Sequence, residues 1–260
     1  MIDIDPPVVL ASLSGTSDAT WAAANAAHVG GAMLGGVALD EPTRGAARGA
    51  VARDREEFLP TDPIAFIDDQ LRQLSTVDVQ AGVNVRASTP AAIEPVAEVC
   101  RARGAILEIN AHCRQPECTA IGCGQALMRD PQARCAQVRA GAVTGAAVSV
   151  KLRTEVPGVD LVGLCDDLEQ AGAAILHIDA MDSRSRIRDI ARQVDTPIIA
   201  NNNVRTAADV REYVGYGADA VSVGRASTRP AVLQTVREAV PTDGIRFYPG
   251  AKRPTHADQT

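Results

Sequence analysis

The feature that most constrains the fold is a regular alternation of short apolar segments with stretches that have helical spacing. Continuous apolar strands separated by amphipathic helices are typical of parallel sheets covered by helices. A glycine-rich segment, 30–36, is a weak candidate for one of the strands. The clear segments, several rich in β-branched residues, span residues 6–11, 79–85, 105–110, 146–152, 173–178, 197–201 and 219–224.

Eight strand–helix units in about 240 residues predict a single-domain α/β fold, a closed (β/α)8 TIM barrel. An open, doubly wound sheet is the main alternative. Such a sheet usually carries a GxGxxG turn after its first strand, and "ASLSGTSD" (11–18) lacks that spacing. The barrel is expected to span residues 1–240, with an insertion at about 37–62 after the second strand. Residues 241–260 are expected to form a C-terminal tail, with the polar end from 248 onward frayed.

Composition excludes several classes of function. The chain of 260 residues has a formal net charge of -6, so nothing in its overall charge attracts it to nucleic acid or anionic membranes. No apolar run is long enough to cross a bilayer, and the N-terminus lacks the basic start of a signal peptide. These features predict a cytoplasmic protein, in which the six cysteines are not expected to form a disulfide framework.

Polar residues stand at nearly every predicted carboxyl end of a strand, where a core would prefer aliphatic side chains. Barrel enzymes hold their active sites on this face. The pattern therefore predicts a functional site there. The residues concerned are Ser12 or Leu13, Asn84, Asn110 with Cys113, Lys151 with Arg153, His177, Asn201 to Asn203, and Gly224 with Arg225.

The last two units carry a pattern typical of phosphate binding. A polar turn, "NNN" (201–203), follows the seventh strand, and a Gly-Arg step, Gly224 and Arg225, follows the eighth. Backbone N–H groups of such turns, a helix N-terminus and a guanidinium together bind anions. The loops after strands 7 and 8 are where barrels usually hold phosphate.

The cysteine spacing argues against a metal centre. Cys113, Cys118, Cys123 and Cys135 follow a C-x4-C-x4-C-x11-C pattern, which matches neither common zinc sites nor the usual iron–sulfur runs. We therefore predict no metal site and interpret the cysteines other than Cys113 as small apolar residues that fill the core.

The motifs in their order along the chain resemble the dihydrouridine synthase family, whose members are FMN-dependent (β/α)8 enzymes. "EINAHC" and "GCGQALMRDP" resemble that family's "INxGCP…GxGxxLLxDP" segment. Further matches are "LASLSGTSDATW", "NVRASTP", "VSVKLR", "LHID", "IIANNN" and "GADAVSVGRA". A more distant resemblance is to dihydroorotate dehydrogenase.

The resemblance implies reduction of the C5–C6 double bond of uracil, with FMN as cofactor and NAD(P)H as electron donor. It implies that Cys113 is the proton donor and that Asn110 orients the pyrimidine. Lys151 and His177 would contact flavin or substrate, and Asn84 the flavin ring. Asn201, Gly224 and Arg225 would lie along the ribityl phosphate, with Ser12 and Asn203 as further cofactor contacts.

The chemistry of these residue types is consistent with those roles. A thiol with a pKa near 8.5 is mostly protonated at neutral pH, so it can deliver a proton to C5. A cation such as Lys151 can stabilise negative charge on the flavin or on a substrate carbonyl.

The chain also departs from the family pattern. Its His-Cys-Arg replaces Gly-Cys-Pro around Cys113, and its Asn-Asn-Asn replaces Asn-Gly-Asp at 201–203. The helical domain with which these enzymes grip tRNA is not expected here, because the barrel takes up about 240 residues. Three functions stay open: uracil reduction in tRNA, a flavin barrel that acts on a free pyrimidine, and a non-redox barrel that binds a phosphorylated metabolite.

Overall fold

The computed structural model describes residues 1–248. Within them, β1 (Ile2–Ile4) is followed by eight parallel strands that form a closed barrel in sequential order. Pairing of the first and the last of these strands closes the ring. The predicted (β/α)8 barrel is therefore confirmed over the open sheet. The barrel strands are β2 (Val8–Leu10), β3 (Gly31–Ala38), β4 (Gln80–Arg86), β5 (Ile106–Asn110), β6 (Ala147–Arg153), β7 (Ile175–Asp179), β8 (Ile198–Asn201) and β9 (Ala220–Val223).

The glycine-rich segment forms β3, the longest barrel strand at 8 residues. Its glycines are needed where β3 approaches β4. Gly35 has φ +97°, and a Cβ there would lie 2.4 Å from the Asn84 carbonyl oxygen. A conformation that only glycine adopts easily therefore allows this close approach. Low β-propensity made this strand the weakest to predict.

The connecting helices begin on the face where the strands end. Aspartate side chains cap several of them by accepting N–H bonds from the first turn, including Asp18, Asp40 and Asp130. The helices are α1 (Ala19–Asn25), α2 (Glu41–Val51), α3 (Pro63–Leu74), α4 (Ile93–Arg103), α5 (Pro116–Ala120), α6 (Pro131–Ala142), α7 (Leu161–Gln170), α8 (Arg186–Ala191), α9 (Ala207–Gly215) and α10 (Pro230–Ala239).

The segment 37–62 is more ordered than a surface loop. It contains the end of β3, all of α2 and a loop that leads to α3. The Asp40 side chain caps α2 and also accepts bonds from the N–H and hydroxyl of Ser88. The loop carries Glu57 into a buried ion pair with Arg86. The segment is thus packed onto the carboxyl ends of the strands.

The amino-terminal end of the barrel is closed by a two-stranded antiparallel sheet of β1 and β10 (Ile245–Phe247). The sequence-based boundary at 240 is therefore wrong as the start of a tail, because residues 245–247 pair with the N-terminus. Such a short strand carries little signal of its own in the sequence. The fraying expected from residue 248 onward lies, beyond Tyr248, outside the described residues.

The inward-facing residues change character along the barrel axis. A lower layer is apolar and packs against Ile2, Ile4 and Phe247 of the closing sheet. The next layer is polar and is fully buried. The lower layer includes Val9, Met33, Ile106, Ile175 and Ile199, and the polar layer includes Glu108, Ser149, His177 and Ser222. In the described part of the chain, no helix is both long and apolar enough to cross a bilayer.

Candidate active site at the carboxyl ends of the strands

The polar layer is organised around the buried carboxylate of Glu108 on β5. Its Oε2 lies 2.6 Å from His177 Nδ1, and its Oε1 accepts a 2.8 Å hydrogen bond from Asn84 Nδ2. Burial works to raise the pKa of this carboxyl, but His177, Lys151 and the Asn84 bond outweigh burial and lower it to about 2. Glu108 is therefore ionised, and it can only accept hydrogen bonds.

One side of this network leads to the loop that carries Cys113. Asn110 Nδ2 donates to Asn84 Oδ1 at 2.9 Å. The Asn110 Oδ1 in turn accepts the backbone N–H groups of Cys113, at 3.0 Å, and of His112, at 3.3 Å. Asn84 and Glu108 are register neighbours on β4 and β5, which is why these side chains meet.

The other side leads to the loop after β8. His177 Nε2 lies 2.7 Å from Ser222 Oγ, and Asn201 Nδ2 donates to the same oxygen at 2.6 Å. Burial lowers the pKa of His177, with Glu108 opposing and Lys151 adding to the effect, and this direction favours the neutral imidazole. Both ring nitrogens of His177 are thus occupied within the protein.

The Cys113 thiol is half-buried in the loop after β5. Contact with the Cys118 thiol and burial raise its pKa well above the usual range, so the sulfur keeps its proton. Gly124 supports this loop, because a Cβ there would lie 2.5 Å from the Cys113 carbonyl oxygen. The buried Arg86, paired with Glu57, partly opposes the rise in pKa.

Two cations of β6 face the carboxyl-end opening of the barrel, which we call the mouth. Lys151 is 2 % exposed, and burial lowers its pKa while Glu108 and Asp179 oppose that change. Arg153 is 5 % exposed, and the only acceptor that its guanidinium reaches among the described residues is Met181 Sδ, at 2.9 Å. Burial and the neighbouring Arg114 lower the pKa of Arg153. The mouth therefore carries positive charge without a bonded carboxylate.

The loops after β8 and β9 form the end of the site that the sequence assigns to phosphate. Asn202 and Asn203 have φ values of +103° and +53°, so asparagines adopt the left-handed turn that the family builds with glycine. The Tyr213 hydroxyl donates to the carbonyl oxygens of Asn201 and Asn202 and holds this turn in place. After β9, Gly224 and Arg225 begin a short 3-10 helix in which the buried Ser227 Oγ has no described partner.

The structure brings most of the predicted side chains to one end of the barrel. Asn84, Asn110, His177 and Asn201 belong to a single hydrogen-bonded network around Glu108, and Lys151 adjoins it through its charge. Ser12 follows β2 at the same end, as do Asn203, Gly224 and Arg225 at β8 and β9. His112 lies in the Cys113 loop with a buried, unpaired Nδ1.

The sequence-based selection missed three residues, namely Glu108, Ser222 and Arg86. A signal was present for Glu108, because a lone carboxylate inside the apolar run "AILEIN" is unusual. Glu108 stands two residues before Asn110 and so faces the same side of the strand. Ser222 and Arg86 carry no comparable signal, since their partners come from distant parts of the chain.

The interpretation of the other five cysteines as residues that fill the core agrees with the described structure. All six cysteines lie within residues 1–248 and are free thiols, and all except Cys113 are buried. Within that part of the chain, no group of three or more His, Cys, Asp or Glu residues is arranged to hold a metal ion.

Comparison with known families identifies the chain. The family model for dihydrouridine synthase (Dus) matches residues 57–253. The chain belongs to the dihydrouridine synthase family. The resemblance stated above is thereby confirmed, and the chain is assigned to the FMN-dependent oxidoreductases.

Individual relatives are more distant. An uncharacterized protein of Methanocaldococcus jannaschii is 27% identical over 237 residues, which are 85% of this chain and 89% of that protein. The catalytic subunit of dihydroorotate dehydrogenase B (NAD(+)) of Halalkalibacterium halodurans is 28% identical over 210 residues, or 67% of this chain and 66% of the subunit.

Solved structures of FabK from Thermotoga maritima share the barrel fold. The M276A mutant superposes with a TM-score of 0.58 at 16% identity, over 86% of this chain and 63% of that one. A second FabK structure gives 0.56 at 17% identity, over 85% and 58% of the two chains. This chain thus spans less than two thirds of each FabK chain, and at such identity the likeness concerns the fold alone.

Proposed function

We propose that this dihydrouridine synthase family member reduces the C5–C6 double bond of a uracil base in tRNA, with Cys113 as the proton donor. One observation carries the proposal. The half-buried Cys113 thiol lies at the mouth of the barrel, on a loop whose backbone N–H group donates to Asn110 Oδ1. A thiol held in one position beside polar and cationic groups is suited to protonate the reduced base at C5.

The residues around the mouth fit an FMN cofactor. The left-handed turn of Asn202 and Asn203 and the Gly224–Arg225 step would hold the phosphate. Lys151, an almost fully buried cation without a hydrogen-bonded partner in residues 1–248, would face the isoalloxazine and stabilise negative charge on it. When bound, FMN would supply the hydride, with NAD(P)H as the electron donor.

The chain's own groups would act as follows. Asn110 and the backbone that it caps hold Cys113 Sγ against the face of the base opposite the hydride donor. The Sγ–H bond breaks as a C5–H bond forms, and the charge left on sulfur lies near the Arg86 guanidinium. Water at the half-buried thiol then returns the proton.

Flavin binding is the first test. The purified protein is expected to be yellow, with absorption at about 450 nm, because the cofactor carries the redox step. A colourless protein that cannot be reconstituted with FMN would instead favour the non-redox barrel that binds a phosphorylated metabolite.

The substrate is tested by deletion of the gene and analysis of tRNA nucleosides. Loss of dihydrouridine at one or more positions, restored by the intact gene and not by Cys113→Ala, is the expected result. Unmodified tRNA transcript, reduced flavoprotein and NADPH or NADH should reproduce the reaction in vitro and identify the electron donor. Unchanged dihydrouridine in the deletion strain contradicts a tRNA substrate.

A second candidate is oxidation or reduction of a free pyrimidine that bears a carboxylate. Arg153 favours it, because its nearly buried guanidinium binds only a thioether within the described residues and lies near Arg114 and Cys113. The dihydroorotate dehydrogenase relative supports the same chemistry. Assays with dihydroorotate and with uracil separate the two candidates, and Arg153→Met should abolish turnover of the carboxylated substrate only.

A further inference from the structure

The residue that we single out is Glu108. Side chains around the proposed site form one continuous chain of hydrogen bonds, and Glu108 stands at its centre with no exposed surface. Barrels usually fill this interior layer with Val, Ile or Leu. A buried carboxylate is costly even when it is paired, and an apolar side chain of similar volume often stabilises the fold as well. A requirement other than stability therefore accounts for the carboxylate.

The first arm of the chain runs from Glu108 to the Cys113 loop. A carboxylate only accepts hydrogen bonds, so Asn84 must turn its Nδ2 toward Glu108. Asn84 Oδ1 then points away and accepts from Asn110 Nδ2. As a result, Asn110 Oδ1 is directed at the backbone N–H groups of the Cys113 loop. If the two amides were reversed, an NH2 group would face those N–H groups and the loop would lose its acceptor.

The second arm runs from Glu108 to the loop after β8. His177 must place its proton on Nδ1 in order to donate to Glu108. Nε2 then accepts a hydrogen bond from the Ser222 hydroxyl. The oxygen of that hydroxyl accepts a hydrogen bond from Asn201 Nδ2. Asn201 directly precedes the left-handed turn of the proposed phosphate end.

We propose that Glu108 is the positioning residue of the site. Its carboxylate can only accept hydrogen bonds, and it thereby determines which group donates and which accepts at each step of both arms. Through Asn84 and Asn110 it holds the Cys113 loop, and through His177 and Ser222 it holds Asn201. The pKa of Glu108, lowered to about 2, is consistent with a carboxylate that stays ionised. The consequence for catalysis rests on the function proposed above, whereas the orientation of the side chains does not.

The decisive variant is Glu108→Gln, tested in the protein as purified. Glutamine has nearly the same shape but presents one oxygen and one NH2 group, so one of the two arms must reverse. Reversal of the His177 arm moves its proton to Nε2, which the ¹⁵N chemical shifts of the imidazole report. Reversal of the Asn84 arm frees the Cys113 loop, which the rate of Cys113 alkylation by iodoacetamide reports by mass spectrometry.

The expected result is a change in at least one readout for Glu108→Gln. Either His177 becomes protonated on Nε2, or Cys113 is alkylated faster by about tenfold, as expected for loss of a hydrogen bond or two. Ser149→Ala is the matched control: Ser149 Oγ donates a 3.4 Å hydrogen bond to Glu108 Oε2, and its loss leaves the carboxylate and the partners of both arms in place. Both readouts should stay at wild-type values in this control.

Two results would overturn the proposal. One is a Glu108→Gln protein with wild-type values of both readouts. The other needs no variant. If His177 of the wild-type protein carried its proton on Nε2, Glu108 would not determine the direction of the hydrogen bonds between His177 and Asn201. If uracil reduction is absent in the wild type, the proposed function fails, but these two readouts still decide the role of Glu108. If it is present, Glu108→Gln should lower kcat more than it changes KM.

Discussion

The lower and upper halves of the barrel interior are built on the same strands with opposite chemistry. On β5, Ile106 faces the apolar lower layer and Glu108 the polar layer above it, and on β7 Ile175 and His177 show the same change. Residues two apart on a strand face the same side. A step of about 7 Å along a strand therefore separates a hydrophobic core from a network of charged and amide groups.

The residues that stabilise the fold by apolar packing and the residues available for chemistry therefore occupy different levels along the barrel axis. The lower layer is closed by β1 and β10 and excludes water. The upper layer loses hydrophobic stabilisation, which is offset where its polar groups bond to one another, as Glu108, Asn84 and His177 do. The loops above it can then vary, as the left-handed turn of Asn202 and Asn203 illustrates, without disturbing the closed barrel below.

The largest effect that tests this separation is expected at Cys113. Cys113→Ala should lower turnover of the uracil substrate by about 100- to 10,000-fold, the range of a lost general acid. Flavin absorption should be retained, because the residues proposed to hold FMN, namely Lys151 and the turns after β8 and β9, are unchanged. Cys165→Ala is the control, since this buried thiol lies on α7, outside the strands. It should reduce stability and leave turnover per folded molecule unchanged; equal turnover of both variants would make the Cys113 thiol structural.

A substitution in the lower layer is expected to reduce stability and to leave turnover nearly unchanged. Ile175→Ala should reduce the free energy of unfolding by about 2–5 kcal/mol, because it opens a cavity in a fully packed core. Urea denaturation measures this loss, and Ile175→Val should cost about 0.5–1.5 kcal/mol. The kcat of the folded protein should stay within about twofold if chemistry is confined to the upper half. A large fall in kcat for both variants would refute that separation.

The upper layer should affect how the free energy of unfolding depends on pH in the acidic range. Because the folded pKa of Glu108 is lowered to about 2, the unfolded chain takes up a proton there that the folded chain does not. The stabilisation is complete above the ordinary carboxyl value of about 4.3 and is lost as the pH falls toward about 2, an effect of up to about 3 kcal/mol. Glu108→Gln should flatten the stability curve in that window, as measured by urea denaturation at each pH. An unchanged slope would mean that Glu108 is not ionised.

The smallest effect is expected in the turn after β8. Asn202→Ala should cost about 1–2 kcal/mol, because alanine tolerates a positive φ less well than asparagine does. Asn202→Gly should stay within about 1 kcal/mol of the wild type, since glycine adopts this conformation freely but loses more backbone entropy. Thermal unfolding of the pair checks the backbone conformation. Equal stability of the two variants would indicate that residue 202 is not in the left-handed region.

How much of the site the sequence predicted depends on the kind of residue. Asn84, Asn110, Lys151 and Asn201 could be selected because packing alone rarely places a polar residue at the end of a barrel strand. Glu108 and Ser222 lie inside the predicted apolar segments, where an inward-facing side chain is normally part of the core. Their importance depends on a pairing with His177, which is 69 residues from Glu108 and 45 from Ser222.

The amino-acid sequence alone was enough to predict the barrel, because eight apolar segments and their intervening helices leave few other ways to bury the strands. Its ordered motifs indicated the family, and its strand ends predicted Cys113 and the Asn201–Asn203 turn on the carboxyl-end face. Which polar groups bond to one another follows only from the tertiary structure. Barrel closure fixes the register that sets Asn84 beside Glu108 and Lys151 beside His177, and these contacts join parts of the chain that no local pattern connects.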